Sequence, residues 1–179
     1  MGKYIAFLRG INVSGQKKVP MAELRTVLSN GGLTDVKTYI QSGNVVFEGG
    51  EFSKKEMEVS IGTLIEEHFG FEVPVLIKST MDLDHILRNN PYDDIESLES
   101  NKIYFVLLFQ SPDQEKVSSF KEEHYPNEAW ELIGDCLYLK CIKGYGNAKL
   151  NNNLIERKLG LIATTRNYRT MKKLCELAS

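Results

Sequence analysis

Lys3-Tyr4-Ile5-Ala6-Phe7-Leu8 runs directly into Arg9-Gly10-Ile11-Asn12. The first six residues have the apolar character of a buried strand. They deliver an arginine, a glycine and an asparagine onto a polar segment that continues to Val19. Connections in compact domains usually need about two to six residues, so a polar connection of this length points to a binding loop. Further along, Lys102-Ile103-Tyr104-Phe105-Val106-Leu107 matches the opening strand in residue type.

The surroundings of the two strands match as well. After the first, Pro20 opens a helix with Met21, Leu24, Val27 and Leu28 as its apolar stripe, ended by Gly31-Gly32. Residues 36–41 and 45–48 read as strands joined across Ser42-Gly43-Asn44, a hairpin signal. A helix over 54–69 stops at Gly70, and a strand follows over 74–77. After the second, residues 113–121 form a helix, and 130–133 pairs with 137–142 across Gly134-Asp135. Strand, helix and hairpin thus occur twice in the same order, which is an internal repeat of form. The expected fold class is α+β with two tandem ferredoxin-like βαββαβ repeats. The second is expected to end in extra C-terminal helices instead of a clean fourth strand. The expected divisions are 1–79 for repeat 1, 80–101 for a short helix and an acidic linker, and 102–179 for repeat 2 with its terminal helices.

With 179 residues, 42% hydrophobic and 26% charged, the chain has the composition of an ordinary globular protein. No apolar run approaches the ~18 residues of a membrane span, and no secretory leader pattern follows Met1. Cys136, Cys141 and Cys175 form no C-x-x-C pair and no metal-ligand set, which fits a reduced, cytoplasmic setting. The net charge of −2 conceals a strong asymmetry. Residues 1–50 carry six basic against three acidic residues, 51–139 seven against nineteen, and 140–173 nine against one. The basic C-terminal third suits an anionic partner, although the same charges also balance the acidic middle.

Two segments stand out as candidate sites. In a βαββαβ unit the end of strand 1 and the tip of the hairpin lie at the same sheet edge. That places Arg9, Gly10 and Asn12 beside Gln41, Ser42 and Asn44, where backbone N–H groups, amides and a guanidinium converge. The second segment is Thr164-Thr165-Arg166-Asn167-Tyr168-Arg169. Thr164 or Thr165 is read as the N-cap of a final helix reaching about Ala178, with Arg166, Arg169, Thr170 and Lys173 on its outer face. A helix start with two arginines suits phosphate or carboxylate. Simpler accounts exist for both: glycines that satisfy turns, and arginines that pair with acidic residues of the chain.

Other signals carry less. Gly144-Tyr145-Gly146 lacks the spacing of a phosphate-binding fingerprint. His68, His85 and His124 have no paired spacing, Asp82/Asp84 and Asp93/Asp94 read as caps, and Trp130 reads as core. No metal or cofactor is expected. The hairpin strands lack the basic, glycine and spaced aromatic residues of an RNA-recognition sheet, and that module is rejected.

Leu8-Arg9-Gly10-Ile11-Asn12-Val13, the segment 36–47 and Thr164-Thr165-Arg166-Asn167-Tyr168-Arg169-Thr170 together resemble the bacterial family catalogued as domain of unknown function 1697. Glycine is common in that family at the position of Ser14, and tryptophan at that of Tyr168; both departures are mild. The resemblance implies an α+β protein of two ferredoxin-like repeats in the cytoplasm. It implies no activity, cofactor or catalytic residue. The functional expectation is a binding protein for an anionic ligand, nucleic acid or a phosphorylated small molecule, held between the Arg9 loop and the Arg166 segment. The contacts would come from Arg9, Gly10, Asn12, Gln41, Ser42, Asn44, Thr165, Arg166, Asn167, Tyr168 and Arg169. The alternatives are an enzyme acting on a phosphorylated or carboxylated metabolite, and a structural or homodimer-forming role. No acid–base pair accompanies the motifs, so the reading leans away from catalysis.

Overall fold

A computed structural model describes residues 2–179. It is a mixed α+β fold of two four-stranded antiparallel sheets and, among the described residues, seven α-helices. The chain divides into two compact units, one of residues 1–85 with 173–179, the other of residues 86–172.

In the first unit the order is β1 (Gly2–Leu8), α1 (Met21–Asn30), β2 (Thr34–Thr38), β3 (Asn44–Gly49), α2 (Lys54–Phe69) and β4 (Val75–Ser79). The sheet order is β2-β3-β1-β4, so β1 is hydrogen-bonded along both edges. Ala6 and Leu8 of β1, with Val45 and Phe47 of β3 and Val75 and Ile77 of β4, line one face of the sheet. Leu24 and Leu28 of α1 and Ile61 and Ile65 of α2 close over that face, all four fully buried. Each such side chain contributes about 1.5–3 kcal/mol through burial. Ile5, Phe7, Val46 and Leu76, which alternate with these residues, are buried too. Both faces of the central strand are therefore dry, which explains its unbroken apolar run.

Local signals fix both ends of α2. Ser53 and Glu56 form a reciprocal capping box at the start of α2, and Gly70 ends that helix in the left-handed conformation. The hairpin differs in register. Its first strand is Thr34–Thr38 instead of 36–41, interrupted by an irregularity between Thr34 and Lys37. Residues 39–43 form a wider loop, because Asn44 accepts from Tyr39 N–H through its carbonyl and donates from Nδ2 to Tyr39 O, 3.0 Å each.

The second unit contains α4 (Ile95–Glu99), β5 (Ile103–Leu108), α5 (Gln114–Lys121), β6 (Glu128–Ile133), β7 (Cys136–Cys141), α6 (Asn152–Leu159) and β8 (Ala163–Asn167). Short α3 (Thr80–Arg88) precedes α4, and α7 (Tyr168–Ala178) ends the chain. The sheet order is β6-β7-β5-β8, the same as in the first unit. Trp130 packs at this unit's core and stacks on Phe120 with ring centroids 4.5 Å apart.

Three expectations need correction. Residues 163–167 are a strand, not the lead-in to a helix, so the second unit does have a fourth strand. β-Branched Thr164 and Thr165 suit a strand better than a helix cap once the β5 edge is open to them. Neither is the cap: Asn167 Oδ1 accepts from Thr170 N–H at 2.8 Å, and α7 starts at Tyr168. The acidic segment read as linker contains α4, capped by Asp94, whose Oδ1 accepts from Ser97 N–H.

Two outcomes follow from this framework. Gly43 has φ +84°, and a Cβ there would lie 2.7 Å from Leu8 Cβ and 2.8 Å from Ile11 Cδ1. Gly43→Ala is expected to cost about 2–4 kcal/mol, read from the urea midpoint. Lys140, 2.8 Å away, and then Ser97 hold the Asp94 carboxyl well below the ordinary carboxylate range. A carboxyl whose pKa is depressed by folding stabilises above its unfolded value of about 3.9 and loses that contribution as pH falls through the folded value. Asp94→Asn is therefore expected to flatten the acid side of the stability–pH curve and leave its slope above about pH 5 unchanged.

Candidate functional site

β1 ends where two other segments of its unit meet it. Leu8 N–H donates to Gly43 O at 2.8 Å, and Arg9 N–H donates to Pro74 O at 3.0 Å. The chain then turns through Gly10 at φ +76°, a conformation glycine adopts without strain. Ile11 is buried, and Asn12 follows at φ +54°.

Asn12 organises the long polar connection. Its Nδ2 donates to Val19 O and to Gln41 O, 2.9 Å each, and its Oδ1 accepts from Val19 N–H at 2.8 Å. Asn12 N–H also donates to Lys17 O at 3.1 Å. The side chain thus ties off the segment 12–19 as a backbone amide would, and pins the hairpin loop to it. Within the tie, Val13 and Gln16 form an isolated bridge around Ser14 and Gly15, both at positive φ. Lys17 Nζ donates to Glu72 O at 2.6 Å and lies 5.8 Å from the centre of the Phe71 ring. The loop owes its length to this folded hairpin-like turn.

The expected meeting of Arg9, Gly10 and Asn12 with Gln41, Ser42 and Asn44 is therefore present. The roles within it differ. Asn44 is fully buried, and its Nδ2 reaches Tyr39 O and Ser42 Oγ, 3.0 Å each. Gln41 is exposed, while Arg9, Gly10 and Ser42 are half-buried.

In the second unit β8 carries Thr164, Thr165, Arg166 and Asn167. Thr165 Oγ1 donates to Asn152 Oδ1 at 2.8 Å, and Asn152 Nδ2 donates to Ala163 O at 3.0 Å. Arg166 pairs with Phe105 across the ladder and is only 7% exposed. Its Nη1 donates to Thr164 Oγ1 at 2.7 Å and to Thr165 O at 2.9 Å. Burial pushes its pKa down to about 10, partly opposed by Tyr145. Tyr168 stacks on Phe105, with centroids 6.4 Å apart. Arg169, exposed in the first turn of α7, donates to Glu99 O. Arg166 and Arg169 consequently do not share a helix face, and Thr170 is buried.

Sequence reasoning passed over Lys78 and Asn152. Lys78 is 7% exposed on β4 and pairs with Ile5, as Arg166 pairs with Phe105. Each cation sits two residues before the first residue of the helix that follows its strand: Lys78-Ser79-Thr80 beside Arg166-Asn167-Tyr168. The matching strands contain that signal once β8 is read as a strand. Neither of two clefts on the first unit, of about 490 and 370 Å³, is lined by any of the expected site residues.

The sequence profile of the family described as protein of unknown function (DUF1697) matches residues 1–138. The chain belongs to the DUF1697 family. A similar solved structure is the conserved bacterial protein SP0830 from Streptococcus pneumoniae, 27% identical, with the match covering 99% of this chain and 98% of that chain at a TM-score of 0.74. No curated protein matches the chain. In this DUF1697 protein the Arg9 and Gly43 segments fall inside the matched region, and Thr164 to Thr170 lie beyond it. Among the described residues no helix is long and apolar enough to cross a membrane.

Asn12→Ala removes three side-chain hydrogen bonds and is expected to cost about 2–3 kcal/mol. Asn12→Asp keeps the acceptor for Val19 N–H but loses both donors and faces two carbonyls with a carboxylate. It is expected to be at least as unstable as the alanine variant; stability equal to the parent in urea denaturation would exclude the clasp.

Proposed function

We propose that this DUF1697 protein is a cytoplasmic binding protein built from two ferredoxin-like repeats, 1–79 and 102–179, joined through 80–101. Its motif arginines receive an anion, either the phosphates of a nucleic acid or a phosphorylated small molecule. The matching sheet orders β2-β3-β1-β4 and β6-β7-β5-β8 support the repeat reading. The anion reading rests on Arg166, a guanidinium kept only 7% exposed on the strand that bears the motif. Removing such a group from water is costly, so its retention favours a charge-dependent role. Lys78, in the same register of the other sheet, adds a second cation of this kind.

The motif residues divide their labour in this proposal. Gly10 shapes its segment through its left-handed turn, and Asn12, Asn44 and Asn167 lock theirs through hydrogen bonds within the chain. Arg9, Arg166 and Arg169 supply charge, with Gln41, Ser42, Thr165 and Tyr168 beside them. The structural alternative draws on the same asparagine contacts and treats the arginines as further braces that meet no ligand. The enzymatic alternative uses the arginines as electrostatic clamps on a phosphorylated or carboxylated metabolite.

Fluorescence anisotropy with labelled single-stranded RNA, and competition by inorganic phosphate and nucleoside phosphates, separate these readings. Arg9→Ala and Arg169→Ala are expected to weaken binding about five- to thirtyfold and to shift the melting temperature by no more than about 2 °C. With a nucleic acid, each variant that no longer reaches its phosphate is expected to lower the slope of log affinity against log salt by roughly one. No binding, or affinity unchanged in both variants, defeats the proposal; a lowered melting temperature with no ligand effect establishes the structural alternative.

A further inference from the structure

Each of the two sheets ends in two strands that have one edge unpaired, and such edges invite pairing with another chain. Three of the four edges are interrupted or occupied by side chains. β2 is broken between Thr34 and Lys37, with Asp35 at φ +46° and both Asp35 and Lys37 exposed. On β4 the Glu58 carboxylate accepts from Ile77 N–H at 3.1 Å. On β8 Glu156 accepts from Ala163 N–H at 2.9 Å, and Asn152 Nδ2 donates to Ala163 O at 3.0 Å.

β6, the fourth, has neither protection. Glu128-Ala129-Trp130-Glu131-Leu132-Ile133 pairs with β7 residue for residue, with no irregularity, no proline and no lysine. The ladder decides which backbone groups face outward. Ile142 N–H donates to Asn127 O at 2.9 Å. Hydrogen-bonded pairs alternate along an antiparallel ladder, so Ala129, Glu131 and Ile133 point their N–H and C=O at β7. Glu128, Trp130 and Leu132 point theirs away from it. Glu128 N–H is taken by Tyr125 O at 3.1 Å. Glu128 C=O, and both backbone groups of Trp130 and of Leu132, meet no protein partner among the described residues. The side chains leave this edge accessible: Ala129 and Glu131 are exposed, and Trp130 is only half-buried although it stacks on Phe120.

We infer that β6 is a dimerisation edge, pairing antiparallel with β6 of a second copy of this chain. A strand that pairs with its own copy closes both edges through one two-fold axis. The other edges are interrupted or occupied, so assembly stops at two copies. The axis falls at Trp130. Trp130 N–H then donates to C=O of the partner's Trp130, and Leu132 N–H to C=O of the partner's Glu128, each bond made twice. This register sets Glu131 against the partner's Ala129, and Glu128 against the partner's Leu132, so no glutamate opposes another. The neighbouring register, centred on Glu131, sets two carboxylates face to face and is disfavoured. Trp130 meets its own copy across the axis, which adds an aromatic contact. One strand pair is a small interface, so the dissociation constant is expected to be on the order of 10–100 μM. β6 and β8 are opposite edges of their sheet, and the inference does not depend on anion binding.

Sedimentation velocity of the full chain from about 5 to 500 μM, with amide hydrogen exchange at both ends of that range, tests this. A dimer is expected to form across the range, and exchange of the Trp130 and Leu132 amides is expected to slow as it does. The fluorescence of Trp130, the chain's single tryptophan, is expected to shift with the same midpoint. Ala129 is exposed, so its replacement leaves the fold intact. Ala129→Glu sets a carboxylate against the partner's Glu131 and is expected to weaken the dimer about fivefold. Ala129→Lys sets an ammonium there and is expected to tighten it about threefold. A chain that stays monomeric at about 500 μM overturns the inference. So does a dimer in which the Trp130 and Leu132 amides exchange as fast as in the monomer, or one that both Ala129 replacements leave unchanged.

Discussion

β1 has no free edge, and that constraint governs the first unit. β3 takes one side of its backbone and β4 the other, so the strand must be apolar on both faces and must leave the sheet abruptly at Leu8. At that exit the last ladder bonds go to the hairpin loop at Gly43 and to Pro74 ahead of β4. Three chain segments therefore converge on Arg9 before any side-chain chemistry is considered. The polar residues that follow are the consequence of convergence: crowded backbone needs donors and acceptors placed where water is scarce. Asn12 supplies two donors and an acceptor from one side chain, a combination that neither aspartate nor serine offers.

β5 stands under the same constraint in the second unit, and the solution there differs. Leu108 N–H donates to Asp135 O, and Phe109 N–H donates to Ile162 O, the counterparts of the bonds at Leu8 and Arg9. The loop after β5 is short, however, with Asp113 capping α5 through Glu115 and Lys116 N–H. No residue there plays the part of Asn12 among the described residues. The polar ties have moved to the opposite end of the strand order, where Asn152 on α6 holds Thr165 and Ala163 of β8. Equal topology has thus not imposed equal loops, and the Arg9 segment is a feature of the first unit alone among the described residues.

Most of the fold is legible in single residues. Gly70, Ser53, Asp113 and Asn151 mark their helix ends, and the six-residue match of the two central strands announces the doubled strand–helix–hairpin order. The elements that sequence misassigns share a cause. Thr164-Thr165-Arg166-Asn167 contains both strand and cap residues, and only the vacant edge of β5, over fifty residues away, selects the strand. Likewise the first hairpin strand ends at Thr38, three residues earlier than its residue types indicate, since Asn44 closes a wider loop than Ser42-Gly43 alone suggests. For the candidate site, sequence locates the segments and their meeting at the sheet edge, but it does not assign tasks within them. Whether an asparagine faces a ligand or its own backbone depends on a few ångströms of loop path, and no periodicity encodes that.

The distinction between clasp and ligand contact bears directly on how the motif is to be read. Residues that form a clasp are as intolerant of replacement as residues that hold a ligand, since each loss leaves crowded donors and acceptors unpaired. Asn12, Gly43 and Asn44 meet that description, with Gly43 admitting no Cβ against Leu8 and Ile11. A charged residue is a different case. A brace between strands needs no net charge, and a buried guanidinium is a costly one. Arg166 bonds to Thr164 and Thr165 of its own strand, contacts that a neutral amide would also make. Its burial, shared by Lys78 at the same register, sets these two cations apart from the asparagines, whose bonds serve loop closure.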